Sequence, residues 1–271
     1  MTDHPEDPSA PQPDALMIDE RRNRIRDLVR QQKRATVAEL AERFGTSLVT
    51  IRGDLTVLAA EGAVLRTRGG ALSPRENEEQ EVSIDVKATL NQDQKQRIAV
   101  EAAKLIRDGE TILLDSGTTT HAIARIIREL PLKTVNVITN ALNIATVLAS
   151  VPHVNLIMPG GQLREQSFSL SGPIAVNSLS GLRADRVFLG VDSLDPEIGL
   201  MTPYLQEAQF NAQMIRISSQ VIAVADASKL LRRNLSVIAS VDQLDMLITD
   251  TGANPETVEE LRRRGVEVVL V

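Results

Sequence analysis

Seven short apolar runs recur along the second part of this 271-residue chain: TILLD (111–115), TVNVIT (134–139), VNLIM (154–158), RVFLGV (186–191), QVIAVA (220–225), MLITD (246–250) and VEVVLV (266–271). Amphipathic helical patterns lie between them, the first over 93–107 and stopped by Gly109. Runs this short, apolar on both sides and alternating with helices, predict a mostly parallel sheet covered by helices on both faces. In such sheets ligands bind outside the carboxyl ends of the strands. The residues that follow each run are therefore where chemistry is expected.

Five of these ends are polar. The first is Asp115-Ser116-Gly117-Thr118-Thr119-Thr120, which leads into a helix through His121. A helix N-terminus offers free N–H groups and the positive end of a dipole, and hydroxyls add donors, so this turn can cradle a phosphate. Simple helix capping is the plainer alternative. The others are Thr139-Asn140, Gly160-Gly161, Gly190-Val191-Asp192 and Asp226-Ala227-Ser228-Lys229. Lys229 can neutralise a phosphate or meet a carboxylate. Each alone reads equally well as turn chemistry; five on one sheet point to a ligand. His121 is expected to be a surface residue.

Composition removes several classes of function. There is no cysteine and there are three histidines, so no thiolate or histidine metal site is expected, and no cofactor. No apolar run approaches the roughly 18 residues of a membrane span. Residues 1–19 are acidic and proline-rich, without the features of a secretory signal, and are expected to be a disordered tail in a cytoplasmic protein. The net charge of −6 is unevenly spread: residues 20–72 carry eleven bases and six acids, whereas residues 73–271 carry nineteen bases and twenty-five acids. A compact basic segment on an acidic chain suits an anionic partner for that segment alone.

Residues 20–72 divide into three helical patterns. The first, Glu20–Lys33, has Ile25, Leu28 and Val29 on one face. Thr36 can cap the second, with Val37, Leu40 and Phe44 apolar and Gly45 ending it. Ser47 can cap the third, in which Leu48, Ile51, Leu55 and Leu58 share one side and Gly62 closes the helix. The other side presents Thr46, Val49, Gly53 and Thr56, flanked by Thr50 and Arg52. A two-stranded ribbon follows, with Arg66 and Arg68 before the Gly69-Gly70 turn. This is the outline of a winged helix-turn-helix, whose second helix enters the major groove. Thr50 suits a base edge or phosphate, Val49 a thymine methyl, Arg52 a guanine or phosphate, and the ribbon arginines phosphate or the minor groove. A three-helix interaction module without DNA is the alternative.

The segment RRNRIRDLVRQQKRATVAELAERFGTSLVTIRGDLTVLAAEGAVLRTRGGAL resembles the DNA-binding part of the DeoR family of bacterial transcriptional regulators. Arg21, Ile25, Thr50-Ile51-Arg52, Asp54-Leu55, Arg66 and Gly69-Gly70-Ala71 carry the likeness. Gly53 departs from it, since family members usually have a polar or basic residue there. The sensor domain of the same family is resembled through LDSGTTT, ITN (138–140), PGGQLR (159–164), FLGVDSLDPEIGLMTPYLQEA (188–208) and VADASK (224–229). The resemblance implies a fold related to ribose-5-phosphate isomerase and glucosamine-6-phosphate deaminase. It also implies that DSGTTT is a phosphate cradle and that Asp192, Glu207 and Lys229 face a sugar. The stretch from Phe188 to Lys229 looks closest to regulators of amino-sugar catabolism.

The expected organisation is a tail at 1–19, an N-terminal all-α winged helix-turn-helix at 20–72, a polar linker at 73–83, and an α/β sensor domain at 84–271. The expected partners are operator DNA and a phosphorylated sugar, with an amino-sugar phosphate as one candidate. A homodimer or homotetramer is expected, because such heads read paired half-sites. The competing reading is a sugar-phosphate isomerase carrying a DNA-binding domain, with Asp115, Asp192 and Glu207 as candidate carboxylates. In the related isomerases a lysine lies between the glycine-rich Asp motif and the later glutamate. Here DSLDPEIGLMTPYLQE (192–207) contains none, so binding without turnover is expected.

Overall fold

A computed structural model describes residues 18–32, 34–60, 63–67, 69–73 and 83–271. They belong to two compact units, one ending at Glu81 and the other starting at Val82. Most of the expected tail, the linker from 74 to 82, the helix-closing Gly62 and the ribbon residue Arg68 lie outside the described residues.

The first unit runs α1 (Ile18–Gln32), β1 (Arg34–Thr36), α2 (Val37–Arg43), α3 (Leu48–Ala60), β2 (Leu65–Thr67) and β3 (Gly70–Leu72). Ile25 and Val29 of α1, Leu40 of α2, and Ile51 and Leu55 of α3 are fully buried against one another. Helix α2 starts at a capping box: Glu39 N donates to Thr36 Oγ1 at 3.2 Å, and Thr36 N donates to Glu39 Oε2 at 2.7 Å. Ser47 caps α3 by accepting from Thr50 N at 3.0 Å. The two-stranded ribbon needs correction, since β1 joins it to give the order β1-β3-β2. Three residues between two helices show no alternation that would mark a strand. Their presence explains Gly70, where a Cβ atom would lie 2.1 Å from Ala35 O on the paired strand.

The second unit opens with α4 (Ile84–Ala88) and α5 (Gln92–Ala103). Then follow β4 (Thr111–Leu114), α6 (Thr118–Ile127), β5 (Val135–Thr139), α7 (Leu142–Leu148) and β6 (Val154–Ile157). A hairpin of β7 (Gln162–Arg164) and β8 (Ser169–Ser171) leads to α8 (Pro173–Ser178) and β9 (Ala184–Leu189). The rest is β10 (Ser193–Asp195), β11 (Gly199–Thr202), α9 (Leu205–Arg216), β12 (Ser218–Val224), β13 (Ser236–Ala239), β14 (Met246–Thr249), α10 (Pro255–Arg263) and β15 (Glu267–Leu270). All seven apolar runs become strands of one sheet, ordered β15-β14-β12-β9-β4-β5-β6, and every pairing in it is parallel.

Alternation along the strands divides the core. Ile112, Leu114, Val137 and Phe188 pack with Ile98 of α5, Ile123 and Ile127 of α6 and Ile144 of α7. Leu113, Ile138, Val187 and Leu189 face the other way, toward Leu179, Phe210 and Met214 around α8 and α9 and Leu261 of α10. The small antiparallel sheet β10-β11-β13 falls outside the seven apolar runs and was not expected from the sequence.

The connectivity fixes where a ligand belongs. From β4 the chain winds outward through β5 and β6; from β9 it winds the opposite way through β12, β14 and β15. Strands β4 and β9 are neighbours, so the topological switch point lies between their carboxyl ends, at Asp115 and Gly190.

Candidate functional site

In the first unit, Ile51, Leu55 and Leu58 turn α3 inward, which leaves Val49, Arg52, Gly53 and Thr56 exposed and Thr46 and Thr50 half-buried. Val49 is 74% exposed, a high value for a valine with core positions within reach. A Cβ atom on Gly53 would meet nothing within 4 Å, so no contact within the chain requires glycine there. Two of the expected contacts are engaged locally. Thr50 Oγ1 lies 2.8 Å from Ser47 Oγ, and Arg66 Nη1 donates to Thr56 Oγ1 at 2.7 Å, tying the ribbon to α3. The Arg52 carbonyl accepts from Thr56 Oγ1 at 2.7 Å, but its side chain has no hydrogen bond or ion pair among the described residues, so the guanidinium is available.

Sequence reasoning missed what holds this helix. Asp54 points inward and is 3% exposed; Arg21 Nε donates to Oδ2 at 2.7 Å and Arg22 Nε to Oδ1 at 3.0 Å. Two arginines of α1 thus fix the rotation of α3, and Arg21, carried by the resemblance, serves as framework.

In the second unit the turn after β4 is built around Asp115. Gly117 N donates to Asp115 Oδ1 at 3.2 Å and to Thr120 Oγ1 at 3.0 Å, and Thr120 Oγ1 lies 2.8 Å from Asp115 Oδ1. The backbone N–H of Gly190 also donates to Asp115, which joins the ends of β4 and β9. A methyl group on Gly117 would stand 3.0 Å from Thr120 Oγ1 and 3.1 Å from Asp115 Oδ1, so a side chain there would crowd the closed turn. Burial pushes the Asp115 carboxyl up to about 7 against the pull of these donors, with Glu207 adding to the rise. Asp115 and Thr120 are therefore spent on the turn. What remains are the half-buried Ser116 and Thr118 side chains and that of Thr119, which is only 6% exposed. Among the described residues the N–H groups of Thr118, Thr119 and Thr120 have no acceptor either, since the first helical bond starts at His121 N. His121 is half-buried, and burial followed by the charge of Arg125 pulls its pKa down.

Beside this turn lies a cluster of charges. Lys87 Nζ is 2.8 Å and Lys229 Nζ 3.8 Å from Asp192 Oδ1. The Thr202 hydroxyl stands 3.3 Å from Asp192 Oδ2 and 3.1 Å from Glu207 Oε1, and Arg164 Nη1 donates to Glu207 Oε2 at 3.2 Å. Arg164 also stacks over the Tyr204 ring at 4.4 Å. Burial works against charge on Asp192, but Lys87 and Lys229 hold its pKa below the usual range. Burial and the Asp192 charge raise Glu207. Burial works to lower Lys87, but Asp192 and Glu207 raise it; burial keeps Lys229 low.

The interval 192–207 holds no lysine, but two lysines from outside it reach Asp192, one of them from α4, far upstream. Lys87 and Lys95 carried no signal in the sequence, and Arg164, Thr202 and Tyr204 lay in resembled stretches without being assigned a role; the Lys87 side chain bonds to Asp192, 105 residues away. Lys95 Nζ donates to Lys87 O at 2.5 Å and to Leu90 O at 2.7 Å, bracing the α4–α5 turn, and burial lowers its pKa to about 8. Asp226 accepts from Asn91 Nδ2 at 2.9 Å and from Ser228 N at 3.1 Å, which seats the short helical turn carrying Lys229.

The remaining expected residues have framework contacts. Thr139 Oγ1 accepts from Ala141 N at 3.1 Å. Asn140 exchanges bonds with Leu170, Nδ2 donating at 2.9 Å and its carbonyl accepting at 2.8 Å, and so ties down the hairpin that bears Arg164. Gly161 approaches the Ser171 backbone and Ala175, and Gly160 faces Ile174.

Comparison with known proteins agrees with both units. Residues 21–77 match the DeoR-like helix-turn-helix domain, and residues 90–251 match the DeoR C-terminal sensor domain. The protein assigned as the aga operon transcriptional repressor of Escherichia coli O157:H7 is 41% identical, covering 93% of each chain. The glycerol-3-phosphate regulon repressor of Escherichia coli K12 is 31% identical over 93% of this chain and 98% of its own. Among solved structures, ribose 5-phosphate isomerase A from Methanocaldococcus jannaschii aligns with a TM-score of 0.38 and 23% identity, over 52% of this chain and 55% of its own. That overlap is too partial to speak for a ligand. The family matches span both units, and the chain belongs to the DeoR family of transcriptional regulators.

Proposed function

We propose that this regulator is a cytoplasmic repressor of a carbohydrate catabolic operon, released or retained on its operator by a phosphorylated sugar. DNA is read by the exposed face of α3, with Arg52 as its free cation and Val49 as its apolar probe. Arg66, and Arg68 beyond the described residues, serve the phosphates. The relatives named for the aga operon and the glycerol-3-phosphate regulon favour this class of function.

The observation that carries the effector reading is the juxtaposition at the switch point. Three unpaired N–H groups and the Ser116, Thr118 and Thr119 hydroxyls suit a phosphate. The Asp192–Glu207–Lys87–Lys229 cluster next to them suits the polar body of a sugar. Ligand shifts DNA affinity only by its differential affinity for the DNA-competent state and its competitor. A homodimer or homotetramer supplies the paired heads.

Binding without turnover is part of the proposal. The absent lysine of 192–207 no longer argues for it, because Lys87 and Lys229 stand at Asp192. Its support is that both carboxylates are engaged by resident donors, and that the relatives are named as regulators. A thermal-shift screen of the full chain against sugar phosphates and the parent sugars tests the reading. A true effector at 100 times its Kd stabilises by about 2.7 kcal/mol. Equal shifts with the unphosphorylated sugars sink the cradle, and steady isomerase turnover sinks the non-enzymatic reading.

A further inference from the structure

The effector site carries a second layer of information about its ligand, and this step rests on the sugar-phosphate reading above. At the sugar end the carboxylates are already engaged by donors of the chain, although the single Thr202 proton can serve only one of the two oxygens it faces. Asp192 Oδ1 faces Lys87 and Lys229, and Oδ2 faces Thr202; Glu207 Oε1 faces Thr202, and Oε2 faces Arg164. A ligand ammonium entering here meets the Lys87 and Lys229 ammonium groups, which already neutralise Asp192.

The donors are not in balance with these acceptors. Lys87 is within hydrogen-bond distance of Asp192, whereas Lys229 stops at 3.8 Å with its side chain 25% exposed. Among the described residues Lys229 Nζ has no hydrogen-bond acceptor at all. Its position is nevertheless fixed: Lys229 ends the short helical turn that Asp226 caps, and Asp226 is held in turn by Asn91. A half-buried ammonium that is positioned but unsatisfied calls for an acceptor oxygen from outside the chain.

We propose that the sugar end of the effector is uncharged and presents an acceptor oxygen, a hydroxyl or carbonyl, to Lys229, so that the site discriminates against sugar phosphates bearing a free amine. Amine-bearing ligands are rejected by the like charge of Lys87 and Lys229, which is specificity by an unfavourable contact as well as a favourable one. An N-acetylated amino-sugar phosphate remains admissible, since acylation removes the charge and supplies a carbonyl.

The test is calorimetric titration of the full chain with matched sets: glucose 6-phosphate, glucosamine 6-phosphate and N-acetylglucosamine 6-phosphate, the three galacto counterparts, and inorganic phosphate as baseline. In whichever series binds, the neutral members are expected to bind at least tenfold more tightly than the free amine. Lys229→Met is expected to bring that ratio close to one by weakening the neutral ligands, with the melting temperature of the unliganded protein held. Equal or tighter binding of the free amine overturns the proposal while leaving the sugar-phosphate reading in place. An unchanged ratio in Lys229→Met also overturns it. Failure of every sugar phosphate to bind beyond inorganic phosphate overturns both.

Discussion

The Thr120 hydroxyl stands 2.8 Å from Asp115 Oδ1 and accepts from Gly117 N at 3.0 Å, with Thr120 itself fully buried. One side chain thus closes the turn that its neighbours offer to the ligand. Thr120→Val keeps the shape and leaves the Gly117 N–H and the Asp115 carboxyl short of a partner. The expected cost is about 1–3 kcal/mol of folding stability, read from urea unfolding. Thr118→Val is expected to leave that stability within about 0.5 kcal/mol and to remove the effector response. The reverse pattern contradicts the division of roles.

Asp115 makes stability depend on pH with a known sign. Its folded pKa of about 7 lies above the ordinary carboxylate value, so the folded state holds the proton where the unfolded state has lost it. Stability contributed by the neutral form is full below about pH 4 and is lost as pH rises through about 7, a span on the order of 4 kcal/mol for this one group. Glu207, also raised, acts in the same direction, so the difference between proteins isolates Asp115. Asp115→Asn is expected to flatten the stability curve between about pH 4 and 7; parallel curves contradict the assignment.

On α3, Arg52 and Asp54 separate reading from building. Arg52→Ala is expected to lose about 1–3 kcal/mol of specific DNA binding with the melting temperature unchanged. Asp54→Ala leaves Arg21 and Arg22 without their buried carboxylate and is expected to destabilise the head by about 3 kcal/mol or more. Anisotropy with bound DNA and chemical unfolding of both variants check this. Equal effects of the two on folding contradict it.

Gly53 allows a cleaner test of the same face. Nothing in the chain crowds a Cβ atom there, so Gly53→Ala is expected to stabilise the helix by up to about 1 kcal/mol. A destabilised Gly53→Ala protein shows that the helix is not regular at this position.

The legible parts of the chain were those with local period. The seven apolar runs became the seven strands of the parallel sheet, and Thr36, Ser47, Ile51, Leu55 and Leu58 stand where capping and helical spacing put them. What stayed hidden arises from distance along the chain. Lys87 reaches Asp192, Arg164 reaches Glu207 from a hairpin of three-residue strands, and β1 pairs with β3 across two helices. Hydroxyl counting also misled in one respect. Thr118, Thr119 and Thr120 look alike in sequence, and only the folded turn shows that Thr120 is the one bonded to Asp115.

The most direct measurement is the affinity of the full chain for a DNA fragment selected from a random pool, with and without effector. The sugar phosphate that binds in the thermal screen is expected to change DNA affinity at least tenfold, about 1.4 kcal/mol. Its unphosphorylated parent is expected to have no effect, and Thr118→Val to respond to neither. A DNA affinity that moves equally with sugar and sugar phosphate, or with neither, contradicts a regulator switched through the Asp115–Thr120 cradle.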